Sequence, residues 1–224
     1  MTTNLINKHG FGKHYNEPVW RPKRLMYGAA IPTSLRPWIF DTGSLTQRLT
    51  ESCDGQFCVK LLAQYWARPM LNEAQRLNMP VKSMALIRQV HLLCNGVPWV
   101  FARTVIPPRT LTGPQRRLAY LGDKSLGAVL FADKSLTREE LEIACIAKGQ
   151  QIYTLAVRHL VEENHTLWGR RSVFSLHQHP LLVSEIFLPP IGAYRIHPHP
   201  GRIPTSKRHS GKRDLANTET AKQV

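Results

Sequence analysis

Two segments of the chain have the pattern of a β-hairpin, in which two strand-like apolar runs flank a turn. The first turn contains Asn95 and Gly96, and Asn-Gly supplies the two positive φ angles that a type I′ turn needs. The second turn is predicted over residues 177–180, which contain two histidines and a proline. The four predicted strands cover residues 81–93, 98–106, 172–176 and 181–188.

Charged side chains interrupt both hairpins. Arg88 and Arg103 lie near strand ends of the first hairpin, and Glu185 interrupts an apolar strand of the second. A carboxylate buried in such a strand is costly unless a partner satisfies it. A strand arginine and a strand glutamate can therefore form a polar pocket that receives an anion. Taken alone, a strand arginine such as Arg88 is more often a surface or ion-pair residue than a ligand-binding one, and Glu185 is equally typical of a structural ion pair.

The rest of the pattern alternates short helices with further strands. The loop at residues 41–44 ends in Ser44 and can cap the helix that follows it. The predicted elements are strands over residues 57–67 and 139–147, helices over 46–52, 112–121 and 126–131, and a helical spacing within 148–166. This mixture predicts an α+β fold, with an antiparallel sheet that helices cover on one face.

Length and composition favour a single domain. The chain has 224 residues, of which 42% are hydrophobic, which is enough for one core. The formal net charge is +15, but much of it lies in the flanks. Residues 1–37 contain six basic residues and one acidic residue, and residues 191–224 contain seven and two. We therefore expect a folded domain over residues 38–190 between two poorly ordered basic flanks.

The C-terminal flank has too few large apolar side chains to offset the entropy of ordering. Its basic residues could contact nucleic acid or an acidic membrane, but a solvated tail is the commoner case and no obligatory partner of either kind is expected. These residues are Lys207, Arg208, Lys212 and Arg213.

The cysteines and histidines do not predict a metal site. Cys53 and Cys58 are too far apart for a zinc knuckle and lack a second pair. The two His-x-His pairs, at residues 177–179 and 197–199, both precede prolines, which is typical of turns. The sequence has no secretory signal and no apolar run of membrane-spanning length. We expect a soluble cytoplasmic protein whose four cysteines are reduced thiols.

Five short motifs follow one another along the chain. They are Arg88 with the hairpin CNGVPWVFARTVIP, LTGPQ at residues 111–115, LGDKSLGAVLF at 121–131, LWGRRS at 167–172 and LLVSEIFLP at 181–189. No single motif is diagnostic, but their order and spacing over residues 38–190 resemble the chorismate pyruvate-lyases of ubiquinone biosynthesis, and the catalytic domain of that family is expected to cover this range.

The resemblance implies conversion of chorismate to 4-hydroxybenzoate and pyruvate by a monomer without a metal or redox cofactor. Arg88 matches the family's arginine for the ring carboxylate, and Glu185 matches the glutamate at the hydroxyl end of the ring. Leu45 and Leu126 match positions that contact the ligand through the main chain or by packing. Whether Glu185 removes the ring proton itself is left open by the sequence. The secondary candidates for the enolpyruvyl carboxylate are Arg103, Arg170 and Arg171.

Two other classes of function are weighed against the lyase. The same fold resembles the effector-binding domain of some bacterial transcription regulators, which would bind a small anion without converting it. Residues 1–37 are too short and too proline-interrupted for the helix-turn-helix that such a regulator needs. A nucleic-acid-binding protein is disfavoured because basic residues in the core segment are not interleaved with exposed aromatic residues.

Overall fold

A computed structural model of the chain describes residues 17–53, 56–158, 160 and 166–193. Its centre is one eight-stranded sheet in which every strand pair is antiparallel. Seven strands follow the order β1-β6-β7-β8-β4-β3-β2, and β5 pairs with β7. The strands are β1 (Arg21–Pro22), β2 (Phe57–Ala67), β3 (Ala85–Cys94), β4 (Val97–Ile106), β5 (Thr137–Arg138), β6 (Glu142–Ile146), β7 (Leu167–Leu176) and β8 (His179–Phe187).

Six short α-helices connect and cover the strands. The predicted α+β class with an antiparallel sheet is confirmed. A long 3-10 helix over Gly113–Tyr120 takes the place of the predicted helix at residues 112–121. The α-helices are α1 (Arg36–Ile39), α2 (Leu45–Ser52), α3 (Leu71–Arg76), α4 (Leu126–Phe131), α5 (Gln151–Val157) and α6 (Pro189–Ala193).

Helices pack against both faces of the sheet, where the sequence predicted one covered face. On one face, α1 and α2 bury Trp38, Ile39 and Leu49 in a cluster that also contains Val90 and Phe187 of the sheet. On the other face, two further clusters form around the helices α3 and α5. The sequence pattern did not predict α3. Among the described residues of the range 148–166, where the sequence has a helical spacing, Gln151–Val157 form α5.

Both hairpins form, with two-residue turns. Asn95 and Gly96 have φ angles of 50° and 77°, as the predicted type I′ turn requires. His177 and Gln178 also have positive φ, at 48° and 68°. The second turn is therefore two residues shorter than predicted, because His179 already pairs with Leu176 as the first residue of β8.

The first strand of the sheet lies within the N-terminal flank. Arg21 of β1 pairs with Ile143 of β6, and the Glu17 carboxylate accepts hydrogen bonds from the first N–H groups of α3. The structure therefore corrects the expectation that all of residues 1–37 are poorly ordered: residues 17–37 belong to the domain. Residues 191–193 of the C-terminal flank also belong to the domain, because they lie in α6 and Ile191 is fully buried. Residues 1–16 and 194–224, which include the second His-x-His pair, lie outside the described residues.

The structure also corrects the expectation of four reduced cysteines. A disulfide joins Cys53, which follows α2, to Cys94, the last residue of β3. Cys58 and Cys145 are exposed and are not disulfide-bonded. Within the described ranges, no helix has the length and apolar character that a membrane crossing requires.

Candidate active site

A cavity lies between one face of the sheet and two loop-helix segments that cover it. The first lid is residues 41–52, comprising a loop and α2, and the second lid is residues 113–131, comprising the 3-10 helix, a loop and α4. The floor consists of alternate residues of the central strands, which share a face because strand side chains have a period of two. Its lining includes Val59, Arg88, Val90, Ala102, Thr104, Phe174, Val183 and Glu185 from the sheet and Leu45, Leu126 and Leu130 from the lids.

Arg88 lines this cavity, with only 2% of its surface exposed. Its Nη2 donates to the carbonyls of Gly122 (2.9 Å) and Lys124 (2.8 Å) in the second lid. Its Nε is buried and has no hydrogen-bond partner among the described residues. Burial lowers the pKa of Arg88, and the Asp123 charge opposes this effect. A buried cation with an unused donor can therefore receive an anionic ligand.

Glu185 lines the same cavity, and its side chain is 17% exposed. Its Oε2 accepts a hydrogen bond of 2.6 Å from Nε of Arg170, the residue opposite it on β7. Nη1 of Arg170 donates to the carbonyls of Trp38 (2.8 Å) and Asp41. Arg170 therefore holds Glu185 and the start of the first lid together.

Arg138 is a lining residue that the sequence did not single out. It lies on the two-residue strand β5, and its Nε donates to Oγ of Ser172 at 3.0 Å. Its Nη1 donates to the carbonyl of Thr42 in the first lid at 2.8 Å. Its guanidinium lies over the Phe174 ring, 4.9 Å from the ring centroid. The polar residues around β5 have no periodic pattern, so the sequence gave no indication that Arg138 would line the cavity.

Leu45 and Leu126 occupy equivalent places in the two lids, as the first residues of α2 and α4. Each follows a serine, Ser44 or Ser125, that caps its helix by accepting from the N–H three residues later. The first N–H groups of a helix have no acceptor within it. Both main chains therefore present donors near the cavity that their side chains line.

The first lid also depends on Asp41. Burial alone would raise the pKa of its carboxyl, but hydrogen bonds from the Gly43 N–H and the Arg48 side chain, with the Arg48 and Arg170 charges, lower it. The carboxylate is therefore ionised at neutral pH and holds the loop before α2 in place.

Arg103 and Arg171 do not line the cavity, which corrects their assignment as secondary candidates. Arg103 forms two hydrogen bonds with Glu73 of α3, at 2.8 and 3.1 Å. Arg171 donates to Glu142 at 2.7 Å and to Asn72 at 2.6 Å. Both lie on the opposite face of the sheet, where α3 covers them. Of the three secondary candidates, the structure places Arg170 alone at the cavity.

The match to a family model and the matches to individual relatives agree on one family. A family model described as chorismate lyase matches residues 15–195. A probable chorismate pyruvate-lyase of Aromatoleum aromaticum is 40% identical over 163 residues, covering 72% of this chain and 88% of the relative. A probable chorismate pyruvate-lyase of Methylococcus capsulatus is 40% identical over 157 residues, which cover 70% of this chain and 96% of the relative. Among solved structures, PhnF from Mycobacterium smegmatis aligns with 67% of this chain and 66% of its own, with a TM-score of 0.48 and 14% identity.

Proposed function

The chain belongs to the chorismate lyase family, and we propose that it converts chorismate to 4-hydroxybenzoate and pyruvate. The observation that carries this proposal is the pairing of Arg88 and Glu185 within one cavity. In this family the reaction supplies the ring of ubiquinone. We further propose that the protein acts as a cytoplasmic monomer and that residues 201–224 take no part in the reaction.

Arg88 binds the ring carboxylate of chorismate. Its Nη2 is held by two carbonyls of the second lid, so the guanidinium is fixed before the ligand arrives. The buried Nε is then available for a charge-assisted hydrogen bond to the carboxylate. The arginine thereby joins the ligand to the lid that covers it.

Glu185 faces the ring hydroxyl, which is para to the carboxylate. Arg170 occupies one oxygen of Glu185, and the other can accept a hydrogen bond from the hydroxyl. In the reaction the proton on the hydroxyl-bearing carbon and the adjacent enolpyruvyl group leave the ring. The electrons of the broken C–H bond complete the aromatic ring, and the released enolpyruvate takes up a proton to become pyruvate. Glu185 is the candidate acceptor of the ring proton.

Leu45 and Leu126 donate their main-chain N–H groups to the ligand while their side chains close the apolar wall. Aromatisation makes the reaction strongly downhill, so the site mainly has to orient the ether and balance the charges. This chemistry needs neither a metal nor a redox cofactor. We therefore expect EDTA to leave turnover unchanged, and activity that depends on an added divalent ion would contradict this expectation.

The direct test is incubation of the purified protein with chorismate, with 4-hydroxybenzoate followed by absorbance and pyruvate by coupled reduction. We expect the two products in equal amounts. A protein that binds chorismate without forming either product would instead be a sensor of small anions.

A further inference from the structure

The charged side chains that line the cavity have an excess of two positive charges. Among the described residues they are Arg88, Arg138, Arg170 and Glu185. Chorismate carries two carboxylates, whereas 4-hydroxybenzoate carries one. Three arginines and one glutamate therefore balance the charge of the substrate rather than that of the aromatic product.

Two of these arginines have no carboxylate partner within the described part of the chain. Arg170 is neutralised by Glu185, as Arg103 and Arg171 are by Glu73 and Glu142 on the opposite face. Arg88 and Arg138 instead donate to main-chain carbonyls and a hydroxyl, which carry no charge. An arginine that is partly withdrawn from water without a counter-ion is a site for an anion.

Arg138 is placed for the second carboxylate of the substrate. Burial lowers the pKa of Arg138, the Glu185 and Asp41 charges raise it, and the Arg170 charge lowers it, so Arg138 lies within the field of the Glu185–Arg170 pair. With the ring carboxylate at Arg88 and the hydroxyl at Glu185, the enolpyruvyl ether leaves the ring at the carbon next to the hydroxyl. Its carboxylate must then lie closer to Glu185 than to Arg88.

We propose that Arg138 binds the enolpyruvyl carboxylate of chorismate, a role that rests on the proposed function. Its Nε and Nη1 are engaged with Ser172 and the first lid, and its Nη2 has no hydrogen-bond partner among the described residues. Stacking on Phe174 fixes the plane of the guanidinium. Arg138 and Thr42 also line a surface depression together with Lys23, Arg24, Tyr27, Glu139, Glu140 and Leu141, so the pyruvyl half of the substrate lies toward solvent.

The competing role for Arg138 is purely to anchor the first lid through the Thr42 carbonyl. The two roles differ in what they predict for the product. An anchor stabilises the closed lid over either ligand, so its loss weakens chorismate and 4-hydroxybenzoate alike. If Arg138 instead binds the enolpyruvyl carboxylate, its loss weakens the binding of chorismate alone, because 4-hydroxybenzoate lacks that carboxylate.

The test compares Arg138→Met with Arg88→Met. For Arg138→Met we expect the KM for chorismate to rise about 10- to 100-fold while the inhibition constant of 4-hydroxybenzoate changes by less than about threefold. Arg138→Lys should recover part of the loss, because it restores the charge without the planar fork. Arg88→Met should weaken both ligands. Equal weakening of both ligands in Arg138→Met, or of neither, overturns the proposal.

A second measurement uses the unaltered protein and so does not depend on the folding of a variant. Chorismate methylated on its enolpyruvyl carboxylate should bind about 10- to 100-fold more weakly than chorismate, and equal affinity overturns the proposal. If the unaltered protein does not turn chorismate over, the proposed function fails. The role of Arg138 is then decided by calorimetric affinities for chorismate and 4-hydroxybenzoate in the same variants.

Discussion

Glu185 divides its two oxygens between the protein and the cavity. Arg170 donates to one of them, is 1% exposed, and also donates to the carbonyls of Trp38 and Asp41. A change at Glu185 therefore affects both the ligand and a buried cation. Its effects on turnover and on stability have to be measured separately.

We predict that Glu185→Gln lowers the turnover of chorismate by about 10- to 1000-fold, because a neutral amide cannot accept the ring proton. Binding should fall much less, since Arg88 still holds the ring carboxylate. Rapid-quench turnover and equilibrium binding on this variant check the two halves of the prediction. Turnover equal to that of the unaltered protein would remove Glu185 from the chemistry.

The matched control is Glu142→Gln. Glu142 also pairs with a strand arginine, Arg171, but on the face of the sheet away from the cavity. Removing one partner of a largely buried pair destabilises the fold, so both variants should have a lower melting temperature. Only Glu185→Gln should lose turnover. A comparable loss in Glu142→Gln would mean that the effect of Glu185→Gln is one of stability.

Arg88 and Glu185 could be predicted because each is a charge inside an apolar strand, and the structure brings both to one cavity. The alternation of strand side chains could also have excluded one of the neighbours Arg170 and Arg171, since adjacent residues point to opposite faces. Alternation alone does not show which of the two arginines faces the cavity. That depends on the register, in which Arg170 is opposite Glu185.

At the scale of elements, arginines of the sheet hold both lids. Arg88 binds two carbonyls of the second lid, and Arg170 and Arg138 bind carbonyls at the start of the first. Asp123 of the second lid also accepts a hydrogen bond from the Leu61 N–H of β2 at 2.6 Å. The lids are therefore tied to the sheet through polar groups around the cavity rather than by helix packing alone.

The lids also contact each other. Oγ of Ser125 donates to Oγ1 of Thr46 at 3.0 Å, and a Cβ added at Gly127 would lie 2.6 Å from the same Thr46 oxygen. Glycine at position 127 therefore permits the close approach of α4 to α2. The two lids therefore meet beside the cavity that both of them line.

We predict that Gly127→Ala weakens binding of 4-hydroxybenzoate by roughly fivefold, which corresponds to the loss of a hydrogen bond worth about 1 kcal/mol. The added methyl group must either rotate Thr46 away from Ser125 or separate the lids. Stopped-flow release of 4-hydroxybenzoate measures the effect as a faster dissociation.

Thr46→Ala combined with Gly127→Ala is the control, because it removes the oxygen that the new methyl group meets. The single variant Thr46→Ala loses the hydrogen bond without a clash. If Gly127→Ala releases product at the same rate as the unaltered protein, the contact between the lids does not govern release.

The sequence predicted most elements that have a clear period and few of the others. The strands β2, β3, β4 and β8 were expected because long apolar or alternating runs specify them. The helix α3 and the strand β1 were missed, since six and two residues carry little periodic signal. The N-terminal flank was predicted to be poorly ordered from its composition. Composition cannot show that Glu17 caps α3 or that Arg21 extends the sheet.

At the scale of the whole molecule, the disulfide connects the first lid to the sheet. Cys53 and Cys94 are 41 residues apart, and both are buried. A disulfide between cysteines so far apart in sequence cannot be predicted from their spacing, because it depends on the fold that brings the two residues together. The expectation of reduced thiols followed from the expected cytoplasmic compartment, where glutathione and thioredoxin keep most thiols reduced.

We predict that the disulfide raises the free energy of unfolding by about 3 to 4 kcal/mol, the loop-entropy value for a loop of this length. Urea denaturation of oxidised protein should therefore have a higher midpoint than denaturation in dithiothreitol. Cys53→Ser with Cys94→Ser should match the reduced protein under both conditions, and Cys58→Ser with Cys145→Ser should behave as the unaltered protein does.

Chorismate turnover should survive reduction, because Arg88, Glu185 and their hydrogen-bond partners do not include a cysteine. Equal midpoints with and without dithiothreitol would show that the sulfur–sulfur bond does not stabilise the fold, and the covalent link between lid and sheet would then have no thermodynamic role.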